Sequence, residues 1–347
     1  MHVISTFNQH KLMQNFVKET RTELNKLAVE SSTLTVADYF SLGAAAQKSM
    51  SFRASLDDVE YYTEATNSAK ARLTSIQASM QNLKAIAEEF RTQVIKVQGG
   101  ADGLGRVYIA DGAKAYLDQA TQLLNTAFGG RYIYSGPASG TPPIRRPDEK
   151  NPATNLTPNE VISAIKSTHD LTSATGMQAF LDEVDQAFAG THLNNDYNFG
   201  TALYQGATGG QVTTFIDRNN EISLDARGDD EAFRSMLKGL YISTAVQADE
   251  VPETIYNDLM AKVLKSTEET VNGIIRQAAD LGYREQAVAD TLKRHENTTR
   301  ILNAAIVDIE GIDGYEAASR LANLQSQMEI TYTLTARLSK LSLVNYI

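Results

Sequence analysis

Cysteine is absent from the chain, which removes disulfides, thiolate nucleophiles and cysteine-ligated metals from the chemistry open to it. Proline is scarce and confined: Pro137, Pro142, Pro143, Pro147, Pro152, Pro158 and Pro252 are all of it. Residues 1–136 and 253–347 therefore lack the strongest helix breaker. No apolar run of about 18 residues, the length that spans a bilayer, occurs, so membrane insertion is not expected. Basic charge is also short: the formal net charge is -10, and no cluster of Lys and Arg interleaved with aromatics offers a grip on a phosphate backbone, so nucleic acid is not an expected partner. Residues 1–31 hold Lys11, Lys18, Arg21 and Lys26 without the apolar core or cleavage site of a Sec signal, and the protein is expected to stay inside the cell or leave by another route.

Within the two proline-free arms the apolar spacing is regular. Val59, Tyr62, Thr66, Ala69, Leu73, Ile76, Met80, Leu83, Ala87, Phe90, Val94 and Val97 alternate steps of three and four, with Thr66 the one member that is not apolar. So narrow a stripe is a coiled-coil seam rather than the broad face of a globular helix, and predicts a rod roughly 60 Å long. Glycines in "GGADGLG", Gly99 to Gly105, end it, and a second helix is predicted from about Arg106 to Phe128. The C-terminal arm repeats the pattern in Val271, Ile274, Ala278, Leu281, Glu285, Val288, Leu292, His295, Thr299, Leu302, Ile306 and Ile309. "GIDGYEA" interrupts it at Gly311 and Gly314 before a last amphipathic helix. Neither long seam can bury its stripe alone, so pairing the two ends of the chain is expected.

The middle is different in kind. Thr157-Pro158-Asn159-Glu160 has the N-cap, N1 proline and N3 acid of a helix start, and Met177 to Phe188 reads as a short helix. Gln211 to Ala226 places Val212, Thr214 and Ile216 in period two, then an Asn-rich turn, then Ile222 and Leu224, which predicts a β-hairpin. "GGRYIYSG", Gly129 to Gly136, is a scrap of β-sequence at the exit from helix to insert, expected to stop the helix and set the direction of the chain.

The fold class expected is mainly α: a discontinuous long-helix coiled-coil rod formed by the N- and C-terminal arms, with a small α+β outer insert. Three domains are expected: a terminal helical pair, 1–40 with 311–347; a rod, 41–136 with 252–310; and an outer domain, 137–251. The stripes of the terminal pair lie beyond the glycine breaks, where little remains within one chain to cover them. Leu12, Phe16, Leu24, Leu27, Leu321, Leu324, Met328, Leu334, Leu338 and Leu341 are therefore the expected subunit-interaction residues.

No catalytic, cofactor or metal site is expected. His2, His10, His169, His192 and His295 show no metal-ligand spacing, and His295, on the C-terminal seam, reads as a buried histidine satisfied by a neighbour. Gly99 to Gly105 is not a phosphate-binding GxGxxG, and Ser139 does not sit in a GxSxG elbow. Asp217, Asn219 and Glu221 fail the EF-hand pattern at its sixth and twelfth positions, Ile222 and Gly228. Arg227-Gly228-Asp229 reads as a cap on a helix starting at Asp230 or Glu231.

A helical N-terminus, a long heptad helix, an insert and a helical C-terminus, together with "LLNTAFGGRYIYSG" (123–136) and "IEGIDGYEAASRLANLQSQMEITYTLTARLSKLSLVNYI" (309–347), resemble the flagellin family of bacterial axial proteins. "SSTLTVADYFSLGAAAQ" (31–47) departs from that family in lacking its usual Ser-Gly pair. The resemblance implies a structural, non-enzymatic subunit of the flagellum that forms a junction layer between hook and filament by head-to-tail assembly with copies of itself. It further implies an extracellular location reached through flagellar type III export without a cleaved signal. The implied partners are a cytoplasmic export chaperone, a second hook-associated protein and flagellin. The alternatives are a filament subunit of the same family and, from another class, a secreted helical effector or an enzyme housed in the insert.

Overall fold

The computed structural model of the protein describes residues 6–98 and 103–344, with side chains described within 11–98 and 108–337. The described residues are mainly helical, with two small antiparallel two-stranded sheets. The chain divides into two compact units, residues 1–61 with 294–347 and residues 62–293.

The second unit is built on α2 (Ala45–Gln98) and α8 (Glu253–Glu310), both of which also contribute residues to the first. The predicted seam is the core of this unit: Thr66, Ala69, Leu73, Ile76, Met80, Leu83, Ala87, Phe90, Val94 and Val97 are all buried. Burial explains the misfit at Thr66, whose hydroxyl donates to the Tyr62 carbonyl at 2.5 Å and lies 3.2 Å from that of Ile216, so the polar group has partners. On α8 the buried series Tyr256, Met260, Val263, Thr267, Thr270, Ile274, Leu281 and Val288 faces the core. Thr74 bonds Glu285 at 3.4 Å and Arg91 bonds Glu268 at 3.1 Å. From 74 to 91 on α2 and from 285 to 268 on α8 are equal steps of 17 in opposite senses, so the helices pair antiparallel without a slip.

A third helix, α3 (Gly103–Leu124), adds Ile109, Ala113, Leu117, Ala120 and Leu124 to the same core. It starts earlier than the sequence predicts, and it ends earlier because the chain has passed into a strand by Phe128. Phe128 lies in β1 (Ala127–Phe128), which pairs with β2 (Arg131–Tyr132) across Gly129 and Gly130. Both glycines have positive φ, 57° and 76°, the backbone that a tight two-residue hairpin requires and that side chains resist. The break expected at Gly99 to Gly105 falls largely outside the described residues.

Beyond the hairpin the "YIYSG" segment is knitted into the insert. Ile133 and Tyr134 are fully buried, Gly228 N donates to Tyr134 O at 2.8 Å and Ala207 N to Ser135 O at 3.0 Å. Asn125, just past α3, clamps the returning chain with both ends of its amide: Nδ2 donates to Ile144 O at 2.7 Å and Oδ1 accepts from Ile144 N at 2.9 Å. The insert then holds α4 (Pro158–Ser167), α5 (Ala174–Ala189), the single turn α6 (Phe199–Ala202), the hairpin of β3 (Thr213–Asp217) and β4 (Asn220–Ser223), and α7 (Glu231–Ala245). Both halves of the capping box predicted at Thr157 and Glu160 are present. Phe233 on α7 meets Tyr134 edge to face, 5.4 Å between ring centroids, which ties the insert's last helix to the exit strand.

The first unit contains α1 (Thr6–Thr33), the start of α2, the end of α8 and α9 (Gly314–Val344). The last turn of α1 closes at Leu34, where φ is positive (58°). Thr35 then bridges Gly311, Val36 N donates to Glu310 O at 2.9 Å, and Ile312 N donates to Leu34 O at 3.1 Å. A side chain at 311 would place its Cβ 2.4 Å from the Val307 carbonyl in the last turn of α8, so only glycine fits where that helix ends and the chain meets Thr35. The end of α1 and the start of α9 thus join at one point, and the two packed helices run antiparallel from it.

Candidate assembly surface

Along α1 the less exposed positions include Met13, Val17, Thr20, Leu24 and Leu27, and along α9 Ala317, Leu321, Leu324, Met328, Thr331 and Thr335. Each series steps by three and four, and the two form the seam inside the helical pair. Five of the residues expected at a subunit contact, Leu24, Leu27, Leu321, Leu324 and Met328, therefore lie toward the chain's own partner helix, Leu27 almost completely buried. Leu12 (68% exposed), Phe16 (48%) and Leu334 (48%) are out of phase with that seam and remain open. Leu338 and Leu341 lie outside the residues whose side chains are described.

Apolar residues that the sequence reading did not single out join the open set. Ile330 is exposed one turn before Leu334, as Leu12 is one turn before Phe16. Val29, Tyr332 and Tyr315 are exposed as well, and Phe40, in a short 3-10 turn at Tyr39–Leu42, is 93% exposed. The available signal was phase: these side chains are large and apolar at positions that the three-four stepping leaves outside. These exposed apolar side chains make the helical pair the candidate assembly surface.

The base of the surface is held by a buried carboxylate. The side chain of Glu310 is 2% exposed and accepts from the buried Ser49 hydroxyl and from Arg53, whose Nε lies at 2.9 Å and whose Nη2 makes a second, shorter contact. These bonds, from Arg53 first and with Ser49 assisting against burial, hold the Glu310 carboxyl below its ordinary range. A depressed pKa contributes stability above the unfolded value, and that contribution is lost as pH falls through the folded one. Glu310→Ala is expected to cost about 2 kcal/mol, chiefly by orphaning the Ser49 hydroxyl, since Arg53 is half exposed and rehydrates. Urea unfolding of the two chains should differ by that amount at neutral pH, and the gap should narrow as pH falls through the lowered Glu310 pKa and the Arg53 contribution is lost; a gap that does not narrow in acid would assign the loss to Ser49 and packing alone.

Elsewhere the structure corrects one detail and supplies one cluster that spacing could not show. Arg227 does not cap α7; it folds onto Asp229 in a two-pronged ion pair at 2.9 and 2.7 Å, and the cap position is Asp230, which makes no side-chain cap bond. His169 and His192 both meet Glu183, at 2.6 and 2.8 Å, residues too far apart in sequence to form a recognisable motif. His295 is buried. Among the described residues no group of His, Asp and Glu is placed to hold a metal ion, and no helix is long and apolar enough to cross a membrane.

Residues 264–347 match the family described as the bacterial flagellin C-terminal helical region. A solved structure described as a flagellar hook-associated protein from Vibrio parahaemolyticus superposes with a TM-score of 0.52 at 10% identity, over 77% of this chain and 97% of that one. FlgL of Bacillus cereus covers 76% of this chain and 100% of its own at 16% identity, with a TM-score of 0.48. No curated protein matches the chain at the sequence level. At such identities the structural likeness concerns the fold.

Proposed function

We propose that this chain, which carries the C-terminal helical region of the bacterial flagellins on a fold shared with a flagellar hook-associated protein, is a structural component of the bacterial flagellum that joins hook to filament. The observation that carries the reading is the flagellin region itself. It begins within α8 and includes α9, the helix that closes the terminal pair and bears exposed Ile330 and Leu334. In this reading the terminal pair, the helical rod and residues 137–251 are three working parts, inner, middle and outer. Copies of the chain associate through Leu12, Phe16 and Leu334 in a head-to-tail lattice, the arrangement a tubular assembly needs. Leu24, Leu27, Leu321, Leu324 and Met328 support that surface from behind. Export through the flagellar type III route with a cytoplasmic chaperone, and contact with a second hook-associated protein and with flagellin, complete the proposal.

Immunoelectron microscopy of intact flagella with an antibody against residues 137–251 tests it. A single band where hook meets filament is the expected result. Label along the whole filament would make the chain a filament subunit, which the same C-terminal region also favours, and unlabelled flagella would overturn the flagellar assignment.

A further inference from the structure

The cluster around Glu183 belongs to the insert and takes no part in the assembly surface. Glu183 projects from α5 and receives two imidazoles: Oε2 meets His169 Nε2 at 2.6 Å, from the segment after α4, and Oε1 meets His192 Nε2 at 2.8 Å, from the loop after α5. A carboxylate accepts only, so Nε2 of His192 carries a hydrogen. The other ring nitrogen, Nδ1, accepts from Asn194 N–H at 2.9 Å and lies 3.1 Å from the Asn194 carbonyl. One backbone residue thus presents both a donor and an acceptor to the nitrogen that gains the next proton.

We propose that His192 and Asn194 form a proton-sensitive turn, in which protonation of Nδ1 exchanges the Asn194 N–H for the Asn194 carbonyl and reshapes residues 192–197 while the ring stays on Glu183. In the neutral ring Nδ1 is bare and the turn closes on it. Once Nδ1 carries a hydrogen, two hydrogens face each other, and the Asn194 N–H loses its acceptor. The carbonyl that takes over also accepts from Tyr197 N at 3.1 Å, so the new bond falls on the oxygen that closes the short helical turn at Asn195–Tyr197. The ring is retained because the imidazolium faces a carboxylate. Burial pushes the Glu183 pKa up, but the hydrogen bonds from His192 and His169 more than offset it and leave it lowered. Glu183 therefore keeps its charge across the range in which imidazoles titrate.

Neighbouring charges do not substitute for Glu183. Asp170 is turned to Thr172, Asp182 accepts from Gln178, Asp185 pairs with Lys238 of α7, and Arg234 of α7 donates to Phe188 O. His169 is the other charge-bearing partner of the site, the Tyr197 ring lies against His192 with centroids 5.1 Å apart, and Asp196 is exposed within the turn. The turn carries Leu193, which is fully exposed, so its movement changes what the insert presents to solvent.

The test is nuclear magnetic resonance of the full-length chain from about pH 8 to about pH 5, following the His192 ring nitrogens and the exchange protection of the Asn194 amide. Protection of Asn194 is expected to fall about two- to tenfold, the range one net hydrogen bond represents, with a midpoint equal to that of the His192 ring. Thr191, whose N–H bonds Gln186 O at the end of α5, should keep its protection. Constant Asn194 protection through the His192 titration, or a parallel loss at Thr191, would each overturn the proposal.

Discussion

Ile76→Pro is expected to unfold the second unit's helical core at physiological temperature. The substitution removes a backbone donor in mid-helix and drives the ring into the preceding carbonyl, at a cost of about 3 kcal/mol or more. Ile76 is also fully buried at the centre of the seam, and exchanging it for a smaller, rigid ring forfeits a further ~1–3 kcal/mol of packing. Together these consume much of the roughly 5–15 kcal/mol that holds an ordinary domain folded. Because α2 and α8 pair without a slip, the kink cannot be absorbed by shifting register. Circular dichroism should show lost helical signal and a melting transition lowered or abolished. An unchanged melt would mean that the long seam is not the core of that unit.

Phe16→Asp combined with Leu334→Asp should do the reverse, sparing the isolated chain and removing its assembly. Both positions are about half exposed in the single chain, where such changes typically move stability by about 0.5 kcal/mol. In a lattice each would be buried, losing ~1–2 kcal/mol of apolar contact and adding a carboxylate that must be desolvated without a partner. Association should weaken by about a thousandfold or more, since ~4 kcal/mol is nearly three powers of ten. Sedimentation of the purified chain and electron microscopy of cells carrying the double substitution read the two halves of the expectation. Normal flagella would remove these residues from the interface. Leu324→Asp is the informative contrast: Leu324 lies on the seam with α1, so it should destabilise the helical pair of the single chain as well.

That contrast shows where reading the residues succeeds and where it stops. The seam at 66–97 and the stretch of the C-terminal seam from 271 to 288 were legible because a helix buried on one narrow side must repeat its apolar residues every three or four positions, and the chain obeys this over many turns; the burial of Tyr256, Met260 and Val263 was not read. The capping box at Thr157 and the hairpin at 213–223 were legible because their chemistry is local, set within a few residues. Leu12 and Leu24 are both leucines on one amphipathic helix, yet one is open and the other turned toward α9. Their difference is a phase relative to a partner 300 residues away, and composition carries no record of it. Glu310 with Ser49 and Arg53, and Glu183 with His169 and His192, were illegible for the same reason.

The sequence by itself determined the helical arms, their breaks at glycine, the mixed insert and the exclusion of thiol chemistry, since each follows from short-range backbone preference or from a residue type being present or absent. The tertiary structure alone decided which apolar residues are spent inside the chain and which remain for a neighbour, and which charged groups meet. Burial and ion pairing depend on distances through space, and chain folding brings together residues whose separation along the sequence bears no fixed relation to those distances.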